Sequence, residues 1–338
     1  MMDWIELLHR LWPWEASLIL WLQHLPDAFI LSMRWISELG HSPFMLSLIL
    51  FAYWGWKEEA GIQLTKFLTL SGVVMSLSKD LLLAPRPFWV HPEIQTLGKA
   101  GGFGMPSGHA MMACVWLVVM THCKSKPVRC LGWSVILLTG LSRVALGLHS
   151  PLQVVAGWMI GVVVFVGIVS KFFHPKPVRP AYTQEAVRDA IMISLLTLLA
   201  FAIYKFNLHW QAPENWLSNL REKGLSTEII RPPSARGCVI YLSCYASLVF
   251  WLWIRSNRMS KLKLNGTVGQ RAGRVSIGLL LGVFSYDVYL SQKTAVPGLY
   301  EIPNPMLVLL AGCATFLLVI GFPWLFDRIH LNSEEPLS

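Results

Sequence analysis

Nine apolar runs constrain this chain more than any other feature. They fall at roughly 38–56, 61–84, 108–122, 129–148, 151–173, 187–207, 235–254, 275–291 and 306–326. A helix needs about 20 apolar residues to cross a bilayer core. Several of these runs are shorter, a deficit that packed neighbours can absorb. The reading is an all-α integral membrane protein, a multi-pass helical bundle of about nine transmembrane helices, with the lipid bilayer as its first partner. Only 14% of the residues are charged, against about 25% in soluble domains, so no large soluble domain fits beside the runs. The 16 tryptophans suit belts at headgroup depth, although several must be ordinary core residues.

The formal charge of +9 is a balance that also suits nucleic acid. Here the bases sit in short loops between apolar runs, so membrane topology accounts for them and no nucleic-acid partner is expected. Alternating the loops gives one side fifteen Lys and Arg and the other eight, motif cations set aside. The richer side is read as cytoplasmic. Loop 85–107 and the short loop near 149 then face the periplasm of a bacterial inner membrane or the lumen of the endoplasmic reticulum. Loop 208–234 lies on the same face and is placed to cover them. The six cysteines lack metal-ligand spacing. No structural disulfide is expected, although Cys123 and Cys130 flank one short loop and could bridge in an oxidising compartment. Acidic residues near the N-terminus do not fit a secretory signal.

Three polar clusters interrupt the apolar pattern. Lys79-Asp80-Leu-Leu-Leu-Ala-Pro-Arg86-Pro87 ends the second run, Pro106-Ser107-Gly108-His109 opens the third, and Ser142-Arg143-Val-Ala-Leu-Gly147-Leu-His149 joins the fourth to the fifth. A charge in a membrane segment is costly and usually functional. One such cation could simply snorkel to the interface. Lys79, Arg86 and Arg143 together on one face, without carboxylate partners nearby in sequence, suggest an external anion. Arg offers phosphate a planar fork and Lys a point charge. Ser107 and Gly108 open a helix whose free N–H groups and dipole attract anions, and Gly108 lets backbone approach a ligand. Ser150-Pro151 opens another helix, with Ser as N-cap and Pro in the first turn. Phosphoryl transfer needs a nucleophile, a proton donor and charge stabilisation. His109 and His149 can fill the first two roles and the cations the third, in place of a metal. The remaining histidines, His9, His24, His41, His91, His122, His174, His209 and His330, are read as structural.

In order and spacing, the clusters resemble the signature of the type-2 phosphatidic acid phosphatase superfamily, which also holds vanadium haloperoxidases and glucose-6-phosphatases. That signature is Lys-x6-Arg-Pro, Pro-Ser-Gly-His and Ser-Arg-x5-His-x3-Asp. Gln153 stands where the final Asp is expected. The resemblance covers 79–153. It implies a six-helix phosphatase core over 38–173; composition adds an interfacial or short helical segment at 1–37 before it, and the layout of apolar runs adds transmembrane helices at 174–338 after it. It further implies that His149 attacks phosphorus, forming a phosphohistidine. His109 would protonate the leaving oxygen and later activate water. Lys79, Arg86, Arg143, the Ser107 side chain and the Gly108 amide would hold the phosphate, with no metal and no cofactor. The stretches His149-Ser-Pro-Leu-Gln153-Val-Val-Ala-Gly157 and Arg86-Pro87-Phe88-Trp89-Val90 are similar to the glucose-6-phosphatase branch, which also has Gln at this place. Gln153 either orients His149 by accepting its Nδ1–H or closes a capping box with Ser150.

The expected activity is hydrolysis of a phosphomonoester, a lipid phosphate or pyrophosphate first and a sugar phosphate second. The motifs recognise phosphate, not the group it is attached to, and nothing in them reports oligomeric state. A transporter would carry charges through the bilayer midplane, whereas these gather at one face. A catalytically inactive phosphate-binding membrane protein has only Gln153 in its favour. Haloperoxidase relatives are soluble and hold vanadate permanently, which disfavours that activity.

Overall fold

The computed structural model describes residues 14–169, 179–258, 266–280 and 304–329, and every regular element among them is a helix. Five helices are long and apolar enough to cross a membrane. They lie in Glu58–Val90, Lys126–Ala145, Pro151–Ile168, Ala186–Phe206 and Arg236–Asn257. A sixth crossing would need Trp14–Gln23 and Asp27–Glu38 to act as one span, and these two helices are bent by 108°. The expectation of nine transmembrane helices is therefore corrected to five or six among the described residues.

The reason is length. Runs 38–56 and 108–122 fold as Ser42–Trp56 and Gly108–His122. At about 1.5 Å per residue each reaches roughly 22 Å, short of the ~30 Å hydrocarbon core. The first ends in a π-helical turn, Phe51–Trp56, and the second is broken at Cys114. Another π-helical turn, Leu317–Gly321, divides run 306–326, and run 275–291 extends beyond the described residues. An apolar run reports burial in something greasy, not the length of the helix that forms. The alternation of loops used to assign inside and outside loses its basis with the two short helices.

The chain forms two compact units, each assembled from separated stretches. The first draws on Met1–His41, Val74–Phe165 and Ala200–Ala235, the second on Ser42–Val73, Val166–Leu199 and Arg236–Ser338. In the first unit, Asp27–Glu38 packs on Lys126–Ala145 through a face carrying Ile30, Met33 and Ser37. Lys126–Ala145 begins after an extended Ser125, with proline in its first turn, the position where a missing N–H costs nothing. It ends at Leu146, followed by Gly147 at φ 69°, the left-handed conformation that favours glycine after a helix. The chain then folds back, so that the amides of Leu148 and His149 both donate to the Arg143 carbonyl, at 3.0 and 3.2 Å.

The segment after residue 207 is fastened to the Pro87–Val90 helix. Lys223 Nζ donates to the carbonyls of Phe88, His91 and Ile94 at 2.9, 2.8 and 2.7 Å. Asn219 donates to those of Trp89 and Val90. Beneath these bonds the rings of Trp89, Phe103, Trp210 and Trp216 pack on one another at 5.1–6.4 Å. In the second unit the indole of Trp54 donates to the Leu318 carbonyl at 3.2 Å. Arg255 pairs there with Glu58 at 2.7 Å and donates to the Tyr53 hydroxyl at 2.6 Å, so a buried charge is matched as burial requires.

Gly147 generates a prediction. A Cβ added there would stand 2.2 Å from the Gln95 carbonyl oxygen, in a conformation that costs an L-residue about 1–2 kcal/mol by itself. Gly147→Ala should lower thermal stability in detergent by at least that amount. An unchanged melting temperature would mean the turn before His149 does not need this backbone.

Candidate active site

The first unit brings together His149, Arg86, Gln153 and Ser107. His149, 2% exposed, faces two acceptors with one ring nitrogen. Nδ1 lies 2.8 Å from the Gly104 carbonyl and 3.1 Å from Gln153 Oε1. A nitrogen facing two acceptors must carry the proton, which leaves the lone pair on Nε2. Arg86 Nη1 meets Nε2 at 3.1 Å, as a donor should. Burial pushes the His149 imidazole well below its usual pKa, and the charges of Arg86, Arg143 and Lys79, with His109, act in the same direction. The ring is thus neutral, with its lone pair on Nε2 and the Arg86 Nη1 donor directed at it.

Arg86 is 3% exposed and directs its fork at backbone. Nε donates to the Gly102 carbonyl at 2.7 Å, Nη2 to that of Gly101 at 3.0 Å, and Nη1 to that of Leu148 at 2.8 Å. These bonds fix the guanidinium beside Nε2 of His149. Arg143, equally buried, donates through Nη1 to Ser37 Oγ at 2.5 Å. Its Nε is buried without a hydrogen-bond partner, as are Ser107 Oγ and His109 Nε2. An unpartnered buried polar atom costs about 1–3 kcal/mol. Three of them, all on motif residues, leave hydrogen-bonding capacity for a polar ligand.

Gln153 makes the contacts of both readings entertained for it. Its Oε1 faces His149 Nδ1 and also accepts from the Ser150 amide at 3.3 Å, while its own amide meets Ser150 Oγ at 3.4 Å, a reciprocal capping box. Its Nε2 donates to the Pro85 carbonyl at 2.7 Å, and its carbonyl accepts from the Ser107 amide at 2.9 Å. One residue, through its side chain and its backbone carbonyl, therefore ties all three motifs together. At Gly108 a Cβ would meet Met75 Sδ at 2.5 Å, so packing against Met75 also bears on this glycine. Lys79 sits in the last turn of Glu58–Leu82 and reaches His149 through its charge.

Several contributors lie outside the motifs. Gly104 supplies the carbonyl for Nδ1 and has no room for a Cβ, which would fall 2.5 Å from Gln153 Nε2. The Gly-Gly-Phe-Gly run before Pro106 is its only sequence signal. Ser37 holds Arg143. Glu15 is 6% exposed and accepts from the Leu152 amide at 2.8 Å, at the start of the helix that follows His149. Neither Ser37 nor Glu15 belongs to a pattern readable in the sequence. Among the described residues no group of His, Cys, Asp and Glu could hold a metal ion.

Residues 60–176 match the model of the PAP2 superfamily. An undecaprenyl-diphosphatase of Sulfolobus acidocaldarius is 33% identical over 105 residues, 31% of this chain and 51% of that protein. Sphingosine-1-phosphate phosphatase 1 of Rattus norvegicus is 23% identical over 275 residues, 77% of this chain and 59% of that protein. Glucose-6-phosphatase catalytic subunit 1 of Felis catus is 33% identical over 186 residues, 46% of this chain and 50% of that protein. The chain thus spans half to three fifths of the length of these relatives. No solved structure matches it.

The double role of Gln153 can be separated. Ser150→Ala removes the capping hydroxyl alone. It should cost about 0.5–2 kcal/mol of stability and leave kcat nearly unchanged. Gln153→Leu removes the contact to His149 as well and should lower kcat together with stability. Gln153→Asp puts a carboxylate beside Nδ1, favours the imidazolium, and should move the acidic limb of the pH–rate profile upward. Identical kcat values for all three variants would leave Gln153 a capping residue only.

Proposed function

We propose, from the premise that residues 60–176 are a PAP2-superfamily phosphatase region, that this chain is a membrane-embedded phosphatase. It would hydrolyse a phosphomonoester through a phosphohistidine intermediate. The reading is carried by one observation: a neutral His149 with its lone pair on Nε2, beside motif residues whose buried donors lack partners. Nε2 attacks phosphorus, the P–O bond to the leaving group breaks, and His109 gives that oxygen a proton. Water then attacks the phosphohistidine, His109 takes the water's proton, and inorganic phosphate leaves with Nε2 free again. Lys79, Arg86, Arg143 and the Ser107 hydroxyl balance charge on the phosphoryl oxygens, the largest single contribution in reactions of this kind. Arg86 already has an N–H directed at Nε2 and can pass it to a phosphate oxygen.

The favoured substrate is a lipid phosphate or pyrophosphate. Two of the three relatives described above carry names of lipid phosphatases, and the helices that flank the site are long enough for bilayer contact. A sugar phosphate is the second reading, supported by Gln153 and by the match to glucose-6-phosphatase.

The test is phosphate release by the purified full chain from a panel of lipid and sugar phosphates, with EDTA present. Activity should persist in EDTA and fall with vanadate, which imitates five-coordinate phosphorus. His149→Ala should lower kcat at least ~10³-fold, the scale seen when a covalent hydrolase loses its nucleophile. Labelled substrate should leave acid-labile phosphate on the wild-type protein. Restoration of an EDTA-abolished activity by a divalent metal, or full turnover by His149→Ala, would overturn this mechanism.

A further inference from the structure

We propose that the turn Leu39–His41 positions His109, with Gly40 and His41 aiming the ring that protonates the leaving group; this rests on the reading of His109 as general acid. Asp27–Glu38 ends in a turn closed by the Gly40 amide on the Ser37 carbonyl at 3.1 Å and by the His41 amide on the Glu38 carbonyl at 3.0 Å. That turn lies flat on His109. A Cβ built at Gly40 would stand 2.5 Å from His109 Cδ2, 2.9 Å from Cγ and 3.0 Å from Cβ. Backbone therefore reaches the imidazole only because residue 40 has no side chain. The His41 ring meets the same imidazole at 90°, with centroids 4.6 Å apart, the edge-to-face geometry that aromatic rings prefer. Glu38 Oε1 lies 3.8 Å from His41 Nε2 and restrains the His41 ring in turn.

These contacts matter because His109 Nε2 is buried without a hydrogen-bond partner. No such bond holds that end of the ring, so packing against the turn sets its direction. A proton donor works within about 2.6–3.2 Å of the atom it serves, and a displacement of about 1 Å can cost a hundredfold in rate. Ser37, one residue before Glu38, meanwhile holds Arg143. The same helix end thus holds a phosphate cation and the proton donor. Ser37, Glu38, Gly40 and His41 precede the 60–176 region that matches the superfamily model.

The experiment measures kcat/KM of the full chain across aryl and alkyl phosphates whose leaving groups differ in basicity. This parameter ends at P–O cleavage and does not include hydrolysis of the phosphoenzyme. His41→Ala and Gly40→Ala should lose at least ~10-fold on the most basic leaving group and stay within ~3-fold on p-nitrophenyl phosphate, which departs with little need of a proton. Inhibition by vanadate should not change, since the phosphate cradle is untouched. His41→Phe, which keeps a ring at the same edge, should recover most of the loss. A uniform loss across the series, or no loss, overturns the inference. His109→Ala provides the reference. A steep dependence in His109→Ala with a flat one in His41→Ala refutes the positioning role alone. A flat dependence in His109→Ala refutes the general-acid reading and the inference with it.

Discussion

The hydrogen bond between His149 Nδ1 and the Gly104 carbonyl decides what the rest of the site can do. It places the proton on the nitrogen that faces protein and leaves the other nitrogen with its lone pair, and Gln153 Oε1 repeats the instruction from a second direction. A carboxylate at residue 153 would add charge and basicity to the same bond. A backbone carbonyl and an amide oxygen give direction without charge. The geometry depends on glycines at two places. Gly104 lets Gln153 lie against backbone, and Gly147 permits the turn that carries His149 back over the Arg143 carbonyl.

Electrostatics works with that tautomer. Two guanidiniums at 3% exposure in a low-dielectric setting repel one another, and both disfavour protonation of the His149 imidazole. Such charges are costly to bury unless something offsets them. Part of the offset is the set of carbonyls around Arg86 and the hydroxyl of Ser37 on Arg143. Under the proposed function, an anion supplies the remainder, and the unpartnered polar atoms of Ser107, His109 and Arg143 suit the oxygen-rich surface of a phosphoryl group.

Much of this was legible in sequence. The three motifs are short, ordered and rich in residue types that are expensive in a membrane, and the structure brings Arg86, Ser107, His149 and Gln153 into one bonded group. The helical class was equally plain from the apolar runs. The number of crossings was not, because Ser42–Trp56 and Gly108–His122 are as apolar as true spans yet too short. Ser37, Glu15 and Lys223 were invisible for a different reason. Each acts across more than 100 residues of chain, and a lone Ser, Glu or Lys has no local pattern. His41, read as structural, packs edge-to-face on His109, a contact across 68 residues that no local pattern announces.

The Lys223 tripod has a consequence for the order in which the protein is made. All three of its N–H groups are spent on carbonyls of the stretch that follows Arg86, and a planar guanidinium could not copy that arrangement. The stretch leaves the ribosome well before its fastener does. At about 5–20 residues per second, the Pro87–Val90 helix waits roughly 7–27 s for Lys223 to be synthesised. Once residue 153 is made, the nascent chain holds every motif residue but not the lysine that fixes the stretch after Arg86. Fastening of the motif region is therefore a late event in biogenesis, and a ribosome stalled after residue 176 would present that region without its clamp.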